Sequence, residues 1–169
     1  MLPPGHIAAS YILIKSAEIF GFKISLPEIM LILAASIVLD FDLIAAHRLK
    51  KSHHDFFTHT PFGVLLIWLA FILLFGANLS LVAKILVLAA FFTHLFLDES
   101  GFWLCKAGFQ EVSQEPQINW LYPIKEFKTR QESFPLNAKF LLYYYQKAKA
   151  NVFLEIILSL IALLILRLC

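Results

Sequence analysis

Histidine and aspartate recur at four separated places in this 169-residue chain: His6, the pair Asp40 and Asp42 in LDFDL, His54 and His59 in HHDFFTH, and His94 with Asp98 in HLFLD. Imidazole nitrogen and carboxylate oxygen together suit zinc, manganese or iron, and thiolate-free sets with several carboxylates often hold two ions. Paired ions sharing a carboxylate activate water and clamp the oxygens of a phosphate ester, so these residue types point to hydrolysis. His94 and Asp98, four residues apart, lie on one helical stripe, where a single ion can use both. Asp40 and Asp42 are two apart, which a regular helix splays by about 200°. The helix is therefore expected to loosen there, or one carboxylate to serve a second ion. His54 and His59, five apart, fit a loop folding inward before Pro61 better than one helical face. His47 and His53 sit beside Arg48, Lys50 and Lys51 and read as a solvated basic loop, while Asp55 is a ligand, a partner orienting a histidine, or a solvent-facing residue. The expected ligands are His6, Asp40, Asp42, His54, His59, His94 and Asp98, holding one or two divalent ions, zinc foremost and manganese or iron otherwise. Asp42, His59 and Asp98 are the expected catalytic residues.

The elements that must carry these residues are unusually apolar. Hydrophobic residues make up 60% of the chain and the mean hydropathy is +0.76, which describes a membrane protein rather than a soluble domain. A helix needs about 20 residues to cross the hydrocarbon, and five apolar segments fit or approach that length: residues 4–20, 27–46, 61–76, 79–98 and 152–168. The first is interrupted by Lys15 and Glu18 and is either a tilted span or a helix packed within the bundle. The fold class is thus all-α, an integral-membrane bundle of about five helices in one domain, with a long polar segment, residues 99–151, between the fourth and fifth. Lys15, Glu18, Lys84 and Glu155 lie inside apolar segments and read as structural, snorkelling or pairing. The two cysteines, Cys105 and Cys169, show neither disulfide nor thiolate-site spacing.

Direction through the bilayer brings the scattered residues to one depth. Seven of the 14 basic residues fall between Asp98 and Ala150, and Arg48, Lys50 and Lys51 follow the second segment. Positive residues collect on the cytoplasmic side, which puts residues 47–60 and 99–150 there, in an inner membrane. His6 then opens the first segment, Asp40 and Asp42 close the second, His54 and His59 precede the third, and His94 and Asp98 close the fourth. All lie at the cytoplasmic face, and the opposite turns, GFKIS and GANLS, contain no histidine or aspartate. His59 and Asp98 should therefore be neighbours.

Gly5-His6, Asp40-x-Asp42, His54-x-x-x-Thr58-His59 and His94-x-x-x-Asp98, in this order and spacing, resemble the YdjM-like family of small bacterial and archaeal inner-membrane proteins, described as metal-dependent hydrolases and sometimes as LexA-binding. The resemblance covers roughly residues 5–125. It implies the same seven site residues and matches Trp120 to Pro123 to the family's proline-containing segment after the last ligand. Asp55 and Thr60 stand where the family commonly has Arg and Ser, and Leu39 and Leu43 where it often has Pro and His. Arg48 or Lys125 would then have to substitute for that arginine in holding a phosphate.

These readings imply a membrane-embedded hydrolase of a phosphoester in an amphiphilic or lipid substrate entering from the bilayer. The alternative is a non-catalytic scaffold or regulatory protein whose ion ties helices together and whose basic residues 99–150 dock a cytoplasmic partner. A transporter would need ligands along a path to the far side, where none occur. The lipid bilayer is the expected surrounding, and the net charge of +2 gives no reason to expect nucleic acid. Oligomeric state has no signature in the sequence.

Overall fold

The computed structural model describes residues 1–42, 56–110, 114–125 and 138–168. Among these there are six α-helices and no strand: α1 Pro3–Ile19, α2 Leu26–Val38, α3 Pro61–Phe75, α4 Leu81–Lys106, α5 Ala138–Lys147 and α6 Lys149–Leu168. Three are long and apolar enough to cross a membrane: Pro61–Asn78 with its closing turn, Leu81–Lys106 and Lys149–Leu168. At 1.5 Å per residue α1 reaches only about 25 Å and α2 about 20 Å, short of the roughly 30 Å hydrocarbon thickness. Lys15 and Glu18 of α1 pair with each other at 2.8 Å.

Helix α4 is the axis of the bundle. Its buried residues Ala83, Val87, Ala90, Phe91, His94, Leu95 and Asp98 recur every three or four positions and form one stripe. The stripe packs against Ile14 of α1, Ile32 and Ala35 of α2 and Val64 of α3 in one continuous core. Small residues at these crossings let backbones approach closely where lipid offers no hydrophobic drive to associate. His94 and Asp98 are the polar end of this stripe, so the helix packing that builds the core also buries them. Asp98 does not close the helix; α4 runs two further turns to Lys106. It stops where Gly108 takes a positive φ of 82°, letting Phe109 N–H reach the Leu104 carbonyl and Gly108 N–H the Cys105 carbonyl.

Helix α2 ends at Val38 and tightens into a 3-10 turn over Leu39–Phe41, so the regular helix is interrupted at LDFDL as expected, by overwinding instead of loosening. At about three residues per turn, Asp40 and Asp42 stand some 120° apart instead of nearly opposite, and both turn toward the bundle end.

The other end of the bundle is tied by Glu28. Its carboxylate closes a capping box with Ser25 and also accepts the Ser80 N–H at 2.8 Å, linking the start of α2 to the start of α4. Glu28→Ala removes both and is expected to lower unfolding stability by about 1–2 kcal/mol. Thermal unfolding in detergent measures this, and Glu28→Gln, which keeps an acceptor, should lose less.

Candidate metal centre

Each candidate side chain is aimed by a local feature. Pro3 and Pro4 start α1 with their fixed φ, which sets His6 one turn inside. Thr60 caps α3 by accepting the Gly63 N–H at 3.0 Å, and the preceding 3-10 turn, Phe57–His59, folds back over the helix start. That fold requires Gly63: a Cβ there would lie 1.9 Å from the Phe57 carbonyl oxygen. Through this contact the chain turns His59 into the bundle, fully buried.

Four groups offer ligand atoms within 4.8 Å of one another: His6, Asp40, His94 and Asp98. His94 Nε2 is 3.2 Å from Asp98 Oδ2 and 3.5 Å from Asp40 Oδ1. His6 Nε2 is 3.3 Å from Asp98 Oδ1, and its ring stacks on that of His94 with centroids 3.9 Å apart. His59 adjoins this set, its Nε2 3.7 Å from Asp98 Oδ2, so the two residues whose proximity was the decisive expectation are neighbours. Its Nδ1 is 2.7 Å from Asp42 Oδ2, which also accepts the Thr58 hydroxyl. His54 lies outside the described residues.

Hydrogen bonding assigns the tautomers. His94 Nδ1 lies 2.7 Å from the Ser36 carbonyl, one of the orphan carbonyls in the last turn of α2. A carbonyl only accepts, so Nδ1 carries a proton and Nε2 is turned toward Asp40 and Asp98. Asp42 does the same for His59. Ring nitrogens and carboxylate oxygens thus face one another, and among the described residues His94 Nε2, Asp40 Oδ2 and Asp98 Oδ2 are buried with no hydrogen-bond partner. Charge-assisted hydrogen bonds would be about 2.7–2.9 Å; the observed 3.2–3.7 Å are too long. They match instead the roughly 3.4 Å between ligands each about 2.1 Å from a tetrahedral ion. The widest separation exceeds the roughly 4.2 Å of opposite ligands in a small octahedral site, so a bound ion would draw the four slightly inward. Among the described residues three carboxylates face one fixed cation, the Met1 α-ammonium at 2.5 Å from Asp98 Oδ1, and such an excess of negative charge suits a divalent partner. The donor set therefore fits a divalent metal.

The centre is closed on the helix side and open at one edge. His6, His59 and His94 side chains are 0% exposed and Asp98 2%, whereas Asp42 is 11% and Asp40 19% exposed. The partly exposed members of the group are thus the two aspartates that follow α2.

A family model described as YdjM inner membrane protein matches residues 1–169, the whole chain. The chain belongs to that family. The motif resemblance over residues 5–125 thus extends to full length, and YdjM membership together with the three candidate spans makes this a membrane protein. No curated protein and no solved structure matches the chain.

Several residues of this YdjM-family centre carry no sequence signal for their roles. The Ser36 carbonyl orients His94 through a backbone atom that every residue possesses. Glu99, adjacent to Asp98 and readable as a general base, is committed elsewhere: its Oε2 accepts the Gln117 and Ile118 N–H groups, each at 2.8 Å. It straps residues 114–125 to α4, where Trp120 packs on Phe96 with centroids 4.9 Å apart. Thr58 donates its hydroxyl to Asp42.

Proposed function

We propose that this chain is a membrane-embedded, metal-dependent hydrolase that cleaves a phosphoester in an amphiphilic or lipid substrate at the cytoplasmic face. One observation carries the reading: three elements bring four buried or half-buried imidazole and carboxylate groups within 4.8 Å of one another, and among the described residues His94 Nε2, Asp40 Oδ2 and Asp98 Oδ2 have no hydrogen-bond partner. His6, Asp40, His94 and Asp98 would hold the ion, zinc foremost given the nitrogen and oxygen donors, with manganese or iron as alternatives. A divalent cation supplies Lewis acidity toward a phosphoryl oxygen and acidifies water. The chain supplies the proton acceptor. His59 stands outside the four-ligand set, and its Nε2 takes a proton while Asp42 holds Nδ1–H and stabilises the resulting imidazolium. Thr58 O–H holds Asp42 in turn. The apolar flanks of α3 and α6 suit a substrate with acyl chains, and Lys106 and Lys125, beyond the site end of α4, suit its anionic headgroup. The same lysines support the cytoplasmic orientation.

Burial of His6, His94 and Asp98 favours a second reading, in which the ion only ties helices together in a scaffold or regulatory protein. The two readings separate by elemental analysis of the purified protein alongside turnover of chromogenic phosphodiesters and phospholipid vesicles. Metal with turnover supports the hydrolase; metal without turnover supports the scaffold; neither metal nor turnover sinks both. Asp42→Asn is expected to retain the ion and lower turnover by about 10²–10⁴-fold, the usual contribution of a positioned base. A wild-type rate in that variant would remove the Asp42–His59 couple from the mechanism.

A further inference from the structure

We propose that Glu155 is a positioning residue of the centre, capping the start of α1 from within the α6 span and thereby setting the His6 imidazole. This rests on the metal reading above for its consequence and on the packing of α1 against α6 for its geometry. Glu155 is a buried carboxylate in an otherwise apolar helix, a placement that is costly unless partners hold it. Its Oε1 accepts the Leu2 N–H at 2.6 Å and the Tyr144 O–H at 2.7 Å. Helix α1 has no side-chain cap at Leu2 and no acidic residue in its first turn. The Leu2 N–H and the positive dipole end of α1 are therefore met from another helix. Gly5 permits the approach, since a Cβ there would stand 3.0 Å from Glu155 Cγ.

His6 has particular need of such an anchor. His94 is oriented by the Ser36 carbonyl and His59 by Asp42, each through Nδ1. Among the described residues His6 Nδ1 has no hydrogen-bond partner, and its Nε2 faces Asp98 at 3.3 Å. Its ring is placed by its stack on His94 and by its backbone, which Glu155 holds four residues upstream. A centre whose other ligands sit on the 3-10 turn after α2 and on α4 is thus also controlled from α6, which contributes no ligand.

The test uses full-length protein in detergent with ring-labelled histidine. In the metal-free state, Glu155→Leu is expected to shift the His6 resonance, assigned by its loss in His6→Ala, while the His94 resonance stays in place. With cobalt(II), affinity should fall about 10–100-fold, as for loss of a supporting contact, and the visible d–d spectrum should approach that of His6→Ala. Glu155→Gln, which keeps an acceptor for Leu2 N–H, should restore both signatures. An unmoved His6 resonance in folded Glu155→Leu overturns the proposal. If that variant does not fold, Gly5→Ala, which crowds Glu155 without removing it, is read by the same criterion. A moved resonance in a protein that binds no cobalt leaves the positioning role standing and defeats the metal reading, so the two failures are distinguishable.

Discussion

Asp98→Asn is expected to lose divalent metal while keeping the fold. Asp98 is the hub of the centre, approached by His6 at 3.3 Å, His94 at 3.2 Å and His59 at 3.7 Å. The substitution conserves volume, so the α4 stripe should repack without a cavity and helicity by circular dichroism should not change. Removing one partner of a buried ionic set costs about 3–5 kcal/mol, which corresponds to a loss in metal affinity of between about a hundred- and several-thousand-fold. The new amide can donate to His94 Nε2, supplying the proton that the native cluster lacks. The same substitution leaves the buried Met1 α-ammonium without its carboxylate, so the metal-free variant should unfold earlier than the metal-free wild type. Added zinc or manganese should raise the unfolding temperature of the wild type and leave the variant unmoved, because a ligand stabilises only the state that binds it. Equal stabilisation of both proteins would mean that the ion sits elsewhere or not at all.

The second large effect is expected at a residue with no functional group. Gly63→Ala places a methyl 1.9 Å from the Phe57 carbonyl and 3.0 Å from the Phe57 ring. The obstacle is backbone, which cannot swing aside as a side chain would, so the Phe57–His59 turn must leave the start of α3. The cost should lie near the upper end of overpacking penalties, about 3 kcal/mol. The consequence for chemistry is larger than for stability: His59 leaves Asp42 and Asp98, and turnover should drop as far as in His59→Ala. Thermal unfolding measures the first effect and phosphodiester turnover the second. Normal turnover in Gly63→Ala would show that the turn can be held without the close approach.

Which parts of this were legible follows from what each interaction depends on. The stripe of α4 was readable because helical period alone aligns His94 with Asp98 and with the apolar residues above them. The interruption of the helix at LDFDL was readable because two carboxylates at that spacing cannot share a helical face. The continuation of α4 to Lys106 was not, since residues 99–106 are polar enough to read as loop and become helical by packing Ser100 and Gly101 inward. The partnership of Asp42 was likewise hidden: as a carboxylate at the right depth it reads as a ligand, yet Asp42 Oδ2 bonds His59 and Thr58, and Asp42 falls outside the group of four. Glu155 reads as a tolerated charge in a span because sequence contains no sign that Leu2 N–H lies 2.6 Å away.

The sequence by itself determined that this is a helical membrane protein of the YdjM family with its histidines and aspartates gathered at one end of the helices. Hydropathy, helical period and loop charge are local quantities, and they add up along the chain without knowledge of contacts. The tertiary structure decided which nitrogen of His94 and of His59 meets an acceptor, which carboxylates face a common point and which orient a neighbour. Those outcomes depend on backbone carbonyls, on a glycine that admits another strand of chain, and on distances of a few tenths of an ångström between helices remote in sequence, none of which is a property of any residue taken alone.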